Sequence, residues 1–306
     1  MLNKLAEIKA LYPFKYNFLR VFTTLTFLLC SAFLQSQLSR THYIPPITAA
    51  QDVNARPQNQ YLHISTPTED EFNIIVNQLG AGTQEYTVSN ANPLEIFIGF
   101  GDNTPFVLPS ANSGSPSSNK GYIIQSDKAV YASVRLSGGD SQAQAGSLVS
   151  KGLSGLGKTF RVGTFTNLRS FDSNVSDYLN FVSVMATENN TLVDFSNFPA
   201  GVIIENNAPL STILNAGESY VIALNPALTT ANRDGLIGVL VTSNKDIVVN
   251  CGSFNGSNYN DVWRDAGFDQ IAPLKTIAVE GQAYSEYIFV RANGFDGIES
   301  PLLVSH

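Results

Sequence analysis

Gly121-Tyr-Ile-Ile-Gln-Ser-Asp-Lys-Ala-Val-Tyr-Ala-Ser133 recurs 117 residues on as Gly238-Val-Leu-Val-Thr-Ser-Asn-Lys-Asp-Ile-Val-Val-Asn250. Each copy sets two runs of β-branched and aromatic residues around a Ser-Asp-Lys or Ser-Asn-Lys triplet. That pattern predicts a strand, a polar turn and a second strand, a β-hairpin. Outward from it the correspondence continues. Tyr61-Leu-His-Ile-Ser-Thr-Pro-Thr-Glu69 matches Phe181-Val-Ser-Val-Met-Ala-Thr-Glu188, and Gly157-Lys-Thr-Phe-Arg-Val-Gly-Thr-Phe165 matches Gly281-Gln-Ala-Tyr-Ser-Glu-Tyr-Ile-Phe-Val290. The expected layout is a β-unit over 60–170, a homologous unit over 171–275, and the start of a third, truncated unit over 276–306.

Short apolar runs bounded by Asn, Asp, Gly, Ser or Pro fill the rest of the chain. No segment past the N-terminus holds a 3.6-residue period over three turns. The fold class is therefore all-β, built of tandem β-sandwich-like units, with a β-propeller as the alternative for short, regularly spaced strands. Residues 38–59 contain Pro45, Pro46 and Pro57 and little apolar pattern, so they read as a flexible leader.

The N-terminus is an address. Lys4, Lys9, Lys15 and Arg20 precede the uncharged run Val21–Leu34, the layout of a secretory signal peptide over 1–37. The run is shorter than the ~20 residues a membrane helix needs. An uncleaved anchor is the alternative, and acylation at Cys30 is disfavoured by Leu29 before it. Removing 1–37 leaves Cys251 as the one cysteine, so no internal disulfide is expected and a buried, inert thiol is.

The chain has 306 residues, 43% hydrophobic and 14% charged, with a net charge of −7. The apolar share suffices for a packed core, and an acidic chain lacks the basic face of a nucleic-acid binder. Gly152-Leu-Ser-Gly-Leu-Gly-Lys-Thr159 fits the spacing of a phosphate-cradling loop, but that chemistry needs a strand before it and a helix after it. Here Ser141–Lys151 is polar and reads as non-strand, and Phe160-Arg-Val-Gly-Thr-Phe165 reads as a strand. The segment is taken as a Gly-rich connection between units, with no nucleotide. The three histidines, His42, His63 and His306, leave only His63 within an expected strand. With no nucleophile elbow and no zinc-spaced histidine pair, a catalytic role is not expected.

Two loops carry the candidate sites. Asn255-Gly-Ser-Asn-Tyr-Asn-Asp-Val-Trp-Arg-Asp265 holds the only Trp, and Tyr259, Trp263 and Arg264 form its candidate ligand-binding set, suited to stacking on a sugar or anchoring a protein contact; a Trp that plugs the junction between units is the plainer reading. Asp172, Asn174 and Asp177 are the candidate metal ligands, with calcium the cation such oxygens take; Glu69-Asp-Glu71 is a weaker set. An ordinary solvated turn is the favoured reading of both acidic clusters. No other cofactor is implied.

Phe181-Val-Ser-Val-Met-Ala-Thr-Glu-Asn-Asn-Thr-Leu-Val193, Leu214-Asn-Ala-Gly-Glu-Ser-Tyr-Val221, Val239-Leu-Val-Thr-Ser-Asn-Lys-Asp-Ile-Val-Val249 and Asp269-Gln-Ile-Ala-Pro273, in that order, resemble the IgGFc-binding-protein N-terminal domain family. Asp246 stands where that family has Pro, and the aromatic-Gly pair is Glu280-Gly281. The resemblance implies a secreted or cell-surface adhesion protein, as in large mucin-associated animal proteins and type IX secreted surface proteins of Bacteroidota. It implies a non-catalytic module binding a protein or glycan on a surface. The alternatives are a glycan-binding module of a carbohydrate-degrading system and a spacer within a larger adhesin. Membrane contact is expected only through export or through attachment by a region beyond His306.

Overall fold

A computed structural model describes residues 37–49, 56–139, 144–164, 178–256 and 265–274, and the backbone of four short strands after them. The chain is all-β, as expected. The first unit comprises β1 (Ser39–Ile44), β2 (Ile47–Thr48), β3 (Pro57–Ser65), β4 (Phe72–Gln78), β5 (Gly82–Val88), β6 (Leu94–Phe100), β7 (Val107–Leu108), β8 (Tyr122–Gly138) and β9 (Gln144–Val149). The second comprises β10 (Gly157–Arg161), β11 (Asn180–Ala186), β12 (Thr191–Ser196), β13 (Ser211–Leu214), β14 (Ser219–Leu224), β15 (Leu240–Gly256) and β16 (Asp265–Ile271). After them β17 (Ile277–Val279) pairs with β18 (Gln282–Tyr284), and β19 (Glu286–Ala292) with β20 (Glu299–Ser305).

The two units share one strand order. In the first it is β5-β4-β8-β3-β6, with β1 and β9 also on β8. In the second it is β13-β12-β15-β11-β14, with β10 and β16 also on β15. The organising strand of each unit is 17 residues long, and both are built on the repeated stretch quoted first. Its first part pairs with one set of neighbours (β4 and β1, or β12 and β10), and its second part with another (β3 and β9, or β11 and β16). A single strand thus passes between the two halves of a curled sheet, the sandwich-like geometry in which a bend turns the corner.

The Ser-Asp-Lys and Ser-Asn-Lys triplets make that bend, and this corrects the hairpin expected there. Ser126 Oγ donates to the Lys128 carbonyl at 2.7 Å and Ser243 Oγ to the Lys245 carbonyl at 2.6 Å. The local bond bulges the strand without reversing it. The pairing of β1 with β8 slips between Ser39 and Thr41, and that of β10 with β15 slips at the matching place, between Gly157 and Thr159.

Two further expectations change. Residues 38–59 are not a flexible leader over Ser39–Thr48, nor from Pro57 onward. β1 alternates inward and outward residues with Ile44 fully buried, and Ile47 is buried in β2, which pairs in parallel with β7. Pro45 and Pro46 only separate the two strands. The polar stretch before the Gly-rich motif is also a strand, β9, whose Leu148 is buried. The motif itself is a single 3-10 turn, Gly152–Gly155, followed by β10. With no helix N-terminus there, it forms no phosphate cradle.

The core of the first unit is not its own alone. Phe181, Val221, Phe254, Ala266 and Phe268 of the second unit join Phe106, Ile64, Leu136 and Leu148 of the first in one buried cluster. The Phe268 ring lies 6.2 Å from Phe106 and 6.4 Å from Phe181. Gly146 is required at this contact, because a Cβ there would come within 2.5 Å of the Phe268 ring. The second unit keeps a separate core that includes Phe160, Val184, Phe195, Leu236 and Val249.

Candidate functional site

The residues singled out in the sequence, Tyr259, Trp263 and Arg264 and the acidic set Asp172, Asn174 and Asp177, lie outside the described residues. Glu69-Asp-Glu71 is described, and two of its carboxylates are engaged. Asp70 lies 3.5 Å from Lys128 Nζ, and Glu71 Oε1 accepts from Thr87 Oγ1 at 2.9 Å. Among the described residues no group of three or more His, Cys, Asp or Glu side chains could hold a metal ion. Cys251 is buried, its thiol faces the Gly163 carbonyl, and desolvation pushes its pKa up to about 12, so it is no ready nucleophile.

Chemistry-bearing side chains converge instead on the first unit, along β6 and β3. Register places Phe97 beside Tyr61 and Glu95 beside His63, with Arg135 and Ser133 on the next strand. Side chains alternate across a strand, so these residues share one outward face. Phe97 is 56% exposed, Phe100 52% and Tyr131 40%. The Tyr61 and Phe97 rings meet edge to face at 5.4 Å, and the Arg56 guanidinium lies 6.0 Å from the Phe100 ring centre. His63 Nδ1 is 3.5 Å from Glu95 Oε2. The face is aromatic, with both signs of charge at its margin, a composition typical of recognition surfaces.

The matching positions of the second unit are all buried. Phe181, Ser183, Val221, Ala223, Val248 and Asn250 stand where the first unit has Tyr61, His63, Glu95, Phe97, Tyr131 and Ser133. That face packs against the first unit, and polar groups tie it down. Asn250 Nδ2 donates to the Pro45 carbonyl at 2.8 Å, and Gln270 Nε2 to the Tyr43 carbonyl at 2.9 Å. One surface type thus occurs twice, once buried and uncharged, once open and carrying charge.

Behind the open face lies a cleft of 380 Å³ between β5 and β6, lined by Val76, Gln78, Gln84, Tyr86, Ile96, Phe97, Ile98, Pro105 and Tyr122. Its size is that of a small-ligand or side-chain pocket, aromatic with a few polar groups. No charged side chain lines it. Tyr122 is 2% exposed, and its hydroxyl has no hydrogen-bond partner among the described residues. Burial raises its pKa, with Tyr86 adding to the shift, so the hydroxyl keeps its proton.

The cleft exists because β4 and β5 are joined by a turn of residues 79–81 alone. In the second unit the same connection runs from 197 to 210 and lies over the gap. Phe198, Val202 and Ile204 pack on the core, Ile204 bridges to Leu224 of β14, and Tyr220 Oη donates to the Pro209 carbonyl at 2.7 Å. The edge of β14 is capped as well by the first unit, through Gly114 N to Val221 O and a reciprocal Ser117–Ser219 pair, each at 2.8 Å. β6 ends its sheet and carries no bridge on its outer edge among the described residues.

The family model for the IgGFc binding protein matches residues 145–300, from β9 through the second unit and into the strands after it. The chain belongs to the IgGFc binding protein family. Neither a curated protein nor a solved structure matches it. The open face and cleft lie before the span matched to the IgGFc binding protein family, in a unit that repeats the strand order of the matched one. Sequence reasoning missed them. The apolar alternation of Leu94–Phe100 marks a strand, but nothing in it says that the outward Phe97 lacks cover.

Proposed function

We propose that this chain is a secreted or cell-surface adhesion module, without catalysis, that binds a protein or glycan through the open face of its first unit. The observation that carries this reading is the pair of equivalent faces: one buried against a neighbouring unit, the other open, with Phe97, Phe100 and Tyr131 exposed beside a half-buried Tyr61. Exposed aromatics grouped on a rigid sheet are the usual anchors of a binding surface. Membership of a family named for binding supports it, and so does the basic-then-apolar N-terminus for the extracellular setting. In this reading the second unit, packed against the first, serves as a rigid support for the one face left open. The Trp263 loop is retained as a second contact, and calcium as a stabiliser at Asp172, Asn174 and Asp177.

The test is binding of the purified protein to a glycan array and to intact host and bacterial surfaces, with and without calcium. Saturable binding that falls about tenfold in the Tyr61→Ala/Phe97→Ala double variant is the expected result. Loss on Trp263→Ala alone moves the site to that loop. Binding to nothing in either condition sinks the adhesion reading.

A further inference from the structure

The second unit shows what fills the gap that the first leaves open. Its own segment 197–210 runs across it, sets Val202 and Ile204 against the core, pairs at one point with β14, and accepts the buried tyrosine hydroxyl at Pro209. The first unit leaves the corresponding cleft and edge open, and adds a buried tyrosine of its own on β8, at a different place from Tyr220. It has a cleft where Val76, Ile96 and Ile98 face Gln78 and Gln84, a β6 edge with no bridge on its outer side among the described residues, and a buried Tyr122 hydroxyl with no partner among the described residues. We propose that this cleft is a strand-addition site, taking an extended, uncharged peptide segment of a partner protein that pairs antiparallel along β6.

Alternate aliphatic side chains of that segment enter the cleft, the intervening ones lie beside Phe97 on the open face, and one carbonyl accepts from Tyr122 Oη. Main-chain bonds to an edge strand provide affinity, and the pocket for alternate side chains provides selectivity. A charged residue pointing inward is rejected, because nothing in the cleft lining would compensate its desolvation. The proposal rests on the binding-module reading and names its ligand class.

The probe is a synthetic peptide with the sequence of residues 197–210 and Glu205 replaced by Gln, titrated into the purified protein by calorimetry. Saturable binding is expected. It falls about tenfold when the peptide residues corresponding to Val202 and Ile204 are replaced by Asn, and about as much in the Gln84→Trp protein, whose ring fills the cleft from an exposed position on β5. Gln84→Trp should leave the melting temperature unchanged, separating blockage from misfolding. Tyr122→Phe should melt no lower than the parent, having lost an unpartnered buried hydroxyl, yet bind the peptide several-fold more weakly. Absence of saturable binding overturns the proposal, and so does binding that Gln84→Trp does not weaken. Glycan binding dependent on Phe97 without peptide binding overturns strand addition and leaves the adhesion module standing; no binding to either probe removes both.

Discussion

At the scale of single residues, His42 is the most deeply set titratable group of the first unit's β1. It is wholly buried at the place where the second unit has Phe160. Its Nε2 lies 2.9 Å from the Val130 carbonyl and 3.2 Å from that of Ser39, so this nitrogen donates, and Nδ1 accepts from Ser150 Oγ at 3.0 Å. Burial lowers its pKa, outweighing the two carbonyls that raise it. The folded state therefore binds its proton less readily than the unfolded chain. Stability from this group is present above the unfolded value of about 6.5 and is lost as pH falls through it toward the folded value. His42→Phe should flatten the decline in melting temperature between about pH 7 and pH 5, read by thermal denaturation across that range. Gln270 completes the network. Its Oε1 accepts from Lys151 N at 2.6 Å and its Nε2 donates to Tyr43 O. Gln270→Ala leaves both backbone groups without that partner, and urea denaturation should show a loss of about 2–3 kcal/mol.

At the scale of elements, the bulges and the connection lengths decide what each unit exposes. Ser126→Ala removes the bond that bends β8 and should cost about 1 kcal/mol in urea denaturation. Exchanging the turn Leu79–Ala81 for the segment 197–210 should close the cleft, raise the melting temperature by several degrees through added apolar burial, and abolish binding of the free peptide. Strand content and the repeat were legible in the sequence, because apolar alternation in β4, β8 and β15 reports a half-buried sheet directly. The bend was not. Ser-Asp-Lys carries the same polar, turn-forming side chains whether the chain reverses or merely bulges, and the choice is made by partners more than fifty residues away in β3 and β4. β1 was hidden behind Pro45 and Pro46, which end it without preventing it. The cleft was invisible because it depends on the lengths of two corresponding connections, of which only one reaches across the gap. The loops that carry the sequence-based site residues lie outside the described residues.

At the scale of the whole molecule, the two units hold a common interior. Phe268 of the second unit sits among Phe106 and Phe181 in the core that closes the first. Phe268→Ala should therefore destabilise by about 3–5 kcal/mol, and it should do so for both units together. One unfolding transition by circular dichroism and by calorimetry is the expected signature, with amides of β3 and β11 exchanging by the same global opening. Two separated transitions in the parent protein would show the shared core to be energetically minor.

That shared interior also sets an order of events in synthesis. The first unit is translated complete at Val149, yet its hydrophobic interior still lacks Phe181, Val221, Phe254 and Phe268. An emerging chain stopped before β16 would hold a nearly finished sheet whose apolar inside faces water. Such a nascent chain needs a chaperone, or must stay extended until its last strands arrive. Folding of this protein is then not vectorial: its first half waits for its second.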